Sequence, residues 1–349
     1  MAKLARIGID TSKSVFQLHG VDEEERPVLR KQLRRRQFLV FFAQLEPTLV
    51  GLEACGASHH WARELQKLGH QVVLIPPQHV KTAYVGRNKN DKIDAEAICE
   101  VMKRDKVQER FVPIKSVEQS AMQMLLGVRE SLVKRRTQLT NSIRSHAAEF
   151  GLVAAKGLDK IPPLLARVAT DDSLSALTKE MFAVLGQEYA ELGPRIAKLD
   201  KQMLAFHRSN EVTRRLMEVP TIGPIGACLL VTKIVDPHAF RSGRRCAAWL
   251  GLTPTDHSSA GRQRQGGITR AGDEHLRAVL VSGAMACIRH AKNRRSNSSS
   301  WLGELLKRKP PKVAAVALAN KTARIAWKIM TSGERYDPNR GMAPQGPAA

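Results

Sequence analysis

The chain has 349 residues, room for two or three domains with cores of their own. Its 56 Lys and Arg against 33 Asp and Glu leave a formal charge of +23, which points to a polyanionic partner, nucleic acid first and an acidic membrane surface second. With 43% apolar residues and a mean hydropathy of -0.28, neither a disordered chain nor a membrane protein fits, and the nearly apolar runs 38–45 and 278–288 are shorter than the ~18 residues of a spanning helix.

The start, Met-Ala-Lys-Leu-Ala-Arg, has no apolar signal core, so a cytoplasmic, nucleoid-associated protein is expected. Cys55, Cys99, Cys228, Cys246 and Cys287 are scattered and form no CxxC pair, which reads as reduced packing thiols. Residues 3–10 and 14–19 are short β-branched or apolar runs and 27–33 alternates, so three strands in an antiparallel meander open the chain. A helix at 36–44, a strand at 48–53, a helix at 58–68 and a strand at 71–76 follow. A helical crossover separates the fourth strand from the meander, which places it parallel beside the first in a mixed α/β sheet.

Residues 116–150 and 181–206 turn helical. The second segment spaces Met181, Leu185, Tyr189, Leu192, Ile196, Leu199, Met203 and Phe206 by threes and fours, a seam suited equally to an intramolecular hairpin and to an intermolecular coiled coil. Residues 151–163, with Gly151 and Pro162-Pro163, read as the loop between them. From His207 onward, 24 Lys and Arg stand against nine Asp and Glu, an uneven load that argues for a dedicated nucleic-acid surface. The expected divisions are 1–112, 113–206, 207–337 and a disordered tail at 338–349.

Three motifs carry chemistry. Asp10 closes the first strand and Glu53 the fourth, so parallel neighbours bring both carboxylates to one sheet edge, while Asp91 and Asp94, three apart at a helix start, face one way. Four convergent carboxylates repel one another unless divalent cations neutralise them, and hard oxygen ligands select Mg2+ or Mn2+, two of which can clamp the oxygens of a phosphodiester. Taken singly, Asp91 or Asp94 is more often a helix-capping carboxylate. Gly-Ile-Asp also opens the phosphate loop of actin-like sugar kinases, but Thr-Ser-Lys follows here where those loops carry Gly-Thr. Second, Glu218-Val-Pro-Thr-Ile-Gly-Pro-Ile-Gly is close to a helix-hairpin-helix hairpin, in which Gly223 and Gly226 would let backbone N–H groups approach a phosphate. Thr221 stands where such hairpins often carry Gly, and the plainer reading is packing. Third, an apolar helix ending at Gly251 precedes a polar loop with Ser258, Ser259, Arg262, Arg264 and Arg270, before a helix near Glu274. A serine there can attack a phosphodiester while guanidiniums balance phosphoryl charge; a basic loop that only grips a backbone is the alternative.

These motifs, in this order, resemble a DEDD transposase of the insertion-sequence one-ten family. The resembling segments are Gly-Ile-Asp-Thr-Ser-Lys, Leu-Glu-Ala-Cys-Gly, Asn-Asp-Lys-Ile-Asp-Ala, Val-Pro-Thr-Ile-Gly-Pro, and Leu-Gly-Leu-Thr-Pro with Ser-Ser-Ala-Gly-Arg and Thr-Arg-Ala-Gly after it. The resemblance implies a RuvC-like domain of RNase H fold over 1–112, a coiled-coil oligomerisation region over 113–206, and a mainly α-helical transposase domain over 207–337. It implies that Asp10, Glu53, Asp91 and Asp94 bind Mg2+ (or Mn2+), and that the nucleophilic serine falls on Ser259, with Ser258 one residue away. It further implies a phosphoserine link to DNA, donor and target duplexes as substrates, a structured non-coding guide RNA, and dimers pairing into a tetramer. Two other classes are a metal-only endonuclease like a Holliday-junction resolvase and a non-enzymatic nucleic-acid scaffold; the ordered acid set disfavours the scaffold.

Overall fold

Strands β1 (Arg6–Thr11), β2 (Val15–Val21) and β3 (Pro27–Arg34) form the expected antiparallel meander. Helix α1 (Arg35–Phe42) leaves β3 directly, the Gln37 side chain accepting the Arg34 N–H at 3.0 Å. Next come β4 (Leu49–Glu53), α2 (Ser58–Lys67), β5 (Gln71–Ile75), α3 (Pro77–Lys81), α4 (Asp91–Val101) and α5 (Asp105–Gln108). The computed structural model describes residues 3–81, 91–108, 111–257, 262, 264–293 and 301–338.

The sheet order is β3-β2-β1-β4-β5, with β4 parallel to both β1 and β5, so the mixed sheet expected from the crossover is present. Both faces are covered, which is why its central strands are apolar almost throughout. Ile7, Ile9, Val50 and Leu52 lie under Phe38, Phe42 and Trp61 of α1 and α2. Phe16 closes that layer 4.5 Å from Phe38 and 5.1 Å from Trp61, each such buried side chain contributing about 1.5–3 kcal/mol. On the opposite face Leu49 and Val73 meet Ile98, Val101 and Met102 of α4 and the turn after it.

One pH dependence follows from this packing. Burial first, then the charges of Lys115 and Arg63, push His59 down to about 4, and its neutral Nδ1 accepts the Lys115 N–H at 3.3 Å. Between pH 6.5 and about 4 the unfolded chain takes up a proton that the folded His59 refuses, so stability present above pH 6.5 is lost as pH falls. Burial lowers His19 in the same sense. The urea midpoint is expected to drop from pH 7.5 to pH 5, and to drop less in His59→Gln, whose amide oxygen still accepts the N–H; equal drops would take His59 out of the effect.

The chain's second compact unit, Ser120–Ala349, is helical apart from one hairpin among the described residues. Helix α6 (Val117–Glu149) runs antiparallel to α8 (Ala176–Ser209), tied by ion pairs Arg129–Asp200 and Arg135–Glu188, and α7 (Ile161–Thr170) completes their core. The seam along α8 therefore closes within the chain. Its first expected member, Met181, is 48% exposed, and Phe182 is buried in its place. The loop expected through residue 163 ends sooner, because Pro162 and Pro163 form the first turn of α7, where a missing N–H costs no hydrogen bond.

Beyond α8 come α9 (Glu211–Leu216), α10 (Pro224–Lys233), α11 (Gly243–Trp249), β6 (Pro254–Asp256), β7 (Gln265–Ile268), α12 (Glu274–Asn293), α13 (Trp301–Arg308) and α14 (Pro311–Ser332). Their core gathers Leu229, Leu230, Leu250 and Leu280 around Ala315, Ala319 and Ala323 of α14, whose small side chains let α12 and α14 approach closely. Cys228 and Cys246 lie here, and burial pushes their thiols up to about 11 and about 12, as inert packing groups. No helix among the described residues is long and apolar enough to cross a membrane.

Candidate active site

Parallel pairing of β1 and β4 aligns Gly8 with Gly51 and Ile9 with Leu52, so Asp10 and Glu53 stand one step further on at the same sheet end, about 4.8 Å apart by strand spacing. Side chains alternate along a strand, so Asp10 shares a face with Gly8 and Glu53 with Gly51. Helix α4 covers that face. Arg6 donates to the Cys99 carbonyl at 2.9 Å, and Gly8 lies against Ala95 and Cys99, so α4 runs antiparallel to β1 and delivers its first turn, with Asp91 and Asp94, to the end where Asp10 and Glu53 emerge. Asp94 is only 9% exposed. The far end of α4 is held down by Arg6, which pairs with Glu25 while Lys103 reaches the same carboxylate at 3.4 Å.

This closeness depends on Gly8. A Cβ there would lie 2.3 Å from the Ala95 carbonyl oxygen and 2.5 Å from the Cys99 nitrogen, both backbone atoms that cannot swing aside. Gly8→Ala is expected to lift α4 from the sheet, lowering stability by about 1–3 kcal/mol in urea unfolding and misplacing Asp94. Gly51→Ala meets the flexible Met102 thioether instead and should cost less. Equal losses would mean that α4 does not rest on Gly8.

The candidate donors at this sheet end are carboxylate oxygens, a set that suits a hard divalent cation and not a soft one. Among the described residues no three His, Cys, Asp or Glu side chains are close enough together to hold an ion; the Asp91 side chain is outside that description.

In the second unit, the polar loop expected after Gly251 is a hairpin. Pro254 pairs with Ile268 and Asp256 with Gln265, and the His257 N–H donates to the Arg264 carbonyl at 2.9 Å. Ser258 and Ser259 fall between, outside the described residues. The base of the hairpin is fastened by main chain: Arg270 N–H donates to Gly251 O at 3.2 Å and Thr269 N–H to Thr253 O at 2.9 Å. Gly251 and Gly272 both adopt left-handed backbone, and a Cβ on Gly272 would lie 2.1 Å from the Trp249 carbonyl oxygen. Arg277 caps this crossing by donating to the carbonyls of Leu250 and Ala271. Arg262, Arg264 and Arg270 are all exposed, Arg270 at φ 56, a conformation few non-glycine residues take.

The two glycines of the second motif part company. Gly223 is exposed at the N-cap of α10, whereas Gly226 is buried against Val279 of α12. Thr221 is buried too, its hydroxyl 2.7 Å from that of Thr322. This hairpin packs the helices together, and Gly223 alone of the pair is open to a phosphate.

A family model described as the IS116/IS110/IS902 transposase family matches residues 213–299, and a DEDD transposase model of IS110 type matches residues 7–151. A Sinorhizobium fredii chain described as a transposase is 56% identical over 98% of this chain and 88% of its own length. A Pseudomonas aeruginosa chain described as a family 20 transposase is 47% identical over 96% and 99%, and the Coxiella burnetii transposase for insertion sequence element IS1111A is 38% identical over 96% and 92%. The chain belongs to the IS110 family of DEDD transposases. It is thus an insertion-sequence transposase, an enzyme that acts on DNA.

The DEDD transposase match spans all four acids, and the IS116/IS110/IS902 match spans the hairpin with its serines and arginines. The structure of this transposase adds cations that sequence reading passed over. The β1–β2 turn and the β3–α1 junction lie at the same sheet end as Asp10, which brings exposed Lys13, Arg34, Arg35 and Arg36 there. Arg35 is held over the Trp61 ring at 4.8 Å, and none of the four has a carboxylate partner among the described residues. The signal was present in the sequence as three consecutive arginines at a strand end.

Proposed function

We propose that Asp10, Glu53, Asp91 and Asp94 form a Mg2+- or Mn2+-binding DEDD site and that Ser259 is the nucleophile of a DNA strand-exchange reaction. The observation that carries this reading is the convergence of two strand ends and the first turn of α4 at one sheet end. When bound, a divalent cation there neutralises the carboxylates and polarises a phosphate. The chain's own residues do the rest. Ser259 Oγ bonds to phosphorus as the bond to the departing sugar oxygen breaks; the proton lost from Oγ is matched by one gained at the leaving oxygen. The phosphoester count is unchanged, so no nucleotide is hydrolysed. Arg262, Arg264 and Arg270 balance charge on the phosphoryl oxygens, Gly223 offers a backbone N–H to a phosphate, and Lys13 and Arg34 to Arg36 seat the phosphates beside the acids.

In this reading residues 1–112 are a RuvC-like domain of RNase H fold, 113–206 the oligomerisation region through which dimers and tetramers form, 207–337 the transposase domain, and 338–349 a tail. A structured guide RNA supplies sequence choice by pairing with donor and target DNA, in keeping with a charge of +23. The test is to express the protein with its flanking genomic DNA, sequence the RNA that co-purifies, and run a DNA-crosslinking gel. A discrete RNA with a covalent adduct supports the reading; neither, alongside metal-dependent nicking, replaces it with a resolvase-like nuclease. A surface contacting ~6–10 phosphates should lose ~10³–10⁵ in DNA affinity between roughly 50 and 200 mM salt, and a flat titration would remove the basic surface from the account.

A further inference from the structure

A cleft of about 1530 Å³ opens in the second unit, bounded by α11, β7, α14 and the segment after α14. Helix α14 presents two unlike faces. One, carrying Ala315, Ala319 and Ala323, is buried in the core; the other turns Val316, Asn320, Lys321, Arg324 and Lys328 into the cleft. The polar wall is cationic on balance. Arg244, Arg270, Lys312, Lys321, Arg324, Lys328 and Arg335 line it against Glu334 and Asp337, and none of the first six has a carboxylate partner among the described residues. The floor is apolar, with Leu252, Val313 and Ile325.

Three aromatic rings complete it. Trp301 is 45% exposed at the first position of α13, with the Lys321 ammonium 4.7 Å from its ring centroid. Trp327 is fixed by its Nε1–H donating to the Pro237 carbonyl at 2.9 Å, and Tyr336 is the third ring in the lining. A large ring left in solvent at the mouth of a cationic cleft has an apolar face to offer, and the cations beside it select an anion.

We propose that this cleft binds a single strand of the transposase's DNA, phosphates on the lysines and arginines and an unstacked base on Trp301. Duplex DNA hides its base faces, and an apolar floor with an exposed indole gives it nothing to contact, whereas a single strand offers both a π-face and a charge per nucleotide. The occupant is taken to be DNA because the cleft shares Gly266, Gly267, Ile268 and Arg270 with the hairpin that carries Ser259. That choice rests on the proposed role of Ser259; the binding chemistry does not.

The experiment uses the full chain in EDTA, where no strand is cut, so it reads binding apart from any catalytic role of Ser259. Fluorescence anisotropy of labelled 12-nucleotide single-stranded DNA, the same sequence as duplex, and the same sequence as RNA gives three affinities. The single-stranded DNA is expected to lose about ten-fold in affinity on Trp301→Ala, to keep most of it on Trp301→Phe, and to lose several-fold on Lys321→Ala with Arg324→Ala, while duplex binding moves by less than two-fold. Trp301 and Arg324 are exposed and Lys321 is half-buried at the cleft wall, so the variants should fold, and circular dichroism checks this. Unchanged single-strand affinity in folded Trp301→Ala, an equal loss on duplex, or preferential loss of RNA would overturn the proposal.

Discussion

Asp10→Asn is expected to lower DNA strand cleavage by about three orders of magnitude while leaving the folded protein intact. The carboxylate sits at the end of β1, half-exposed, so the isosteric amide fits the same space and the unfolding midpoint should stay within about 2 °C. What is lost is a negative oxygen donor among carboxylates. Charge stabilisation by a held metal is worth several kcal/mol in the transition state, and each ~1.4 kcal/mol is a factor of ten in rate. EDTA should give the same loss in the wild-type protein and add nothing in the variant. Cleavage by Asp10→Asn within ten-fold of wild type, or full wild-type cleavage without a divalent ion, would remove the acid set from the reaction.

Ser259→Ala is expected to abolish the covalent protein–DNA adduct and reduce strand transfer by on the order of 10³-fold or more, since a nucleophile has no substitute when its oxygen is removed. Ser258→Ala is the paired control. An adduct that persists in Ser259→Ala and vanishes in Ser258→Ala moves the assignment by one residue. Nicking that survives both substitutions, with no adduct in the wild type, means that the acids hydrolyse DNA unaided and that the hairpin grips it. The two experiments are independent: the role proposed for Asp10 runs through a bound cation, and that proposed for Ser259 through its own oxygen.

Much of the first unit was legible because its central strands are buried on both faces and amphipathic helices separate its later ones. The order of elements alone required β4 to lie beside β1, and that pairing sets Asp10 next to Glu53. Other features left no usable pattern. The hairpin β6–β7 was invisible because β6 is three residues long and β7 contains Gly266-Gly267, which carry no strand preference. Pro162-Pro163 looked like a loop since the same residues that break a helix interior also begin one. At the start of α8 the spacing of four from Met181 to Leu185 was as good as the spacing of three from Phe182, and only the packing of α6 and α7 decides that Phe182 is the buried one. The cations Lys13 and Arg34 to Arg36 are far apart in sequence from Glu53; the meander alone brings them to its side of the sheet.

The fastening of the hairpin at Gly251 and Gly272 has a consequence for how this transposase can change. Among the described residues, the base is secured by main-chain atoms of residues 249–253 and 269–277, by the Arg277 guanidinium, and by the Asn320 amide of α14, which donates to the Leu252 carbonyl at 3.1 Å. In chain order, residues 258–263 come between the two arms of this mount. The helices beneath are held by the mount itself, so the segment between its arms can change in length, among relatives or by design, while the base stays the same.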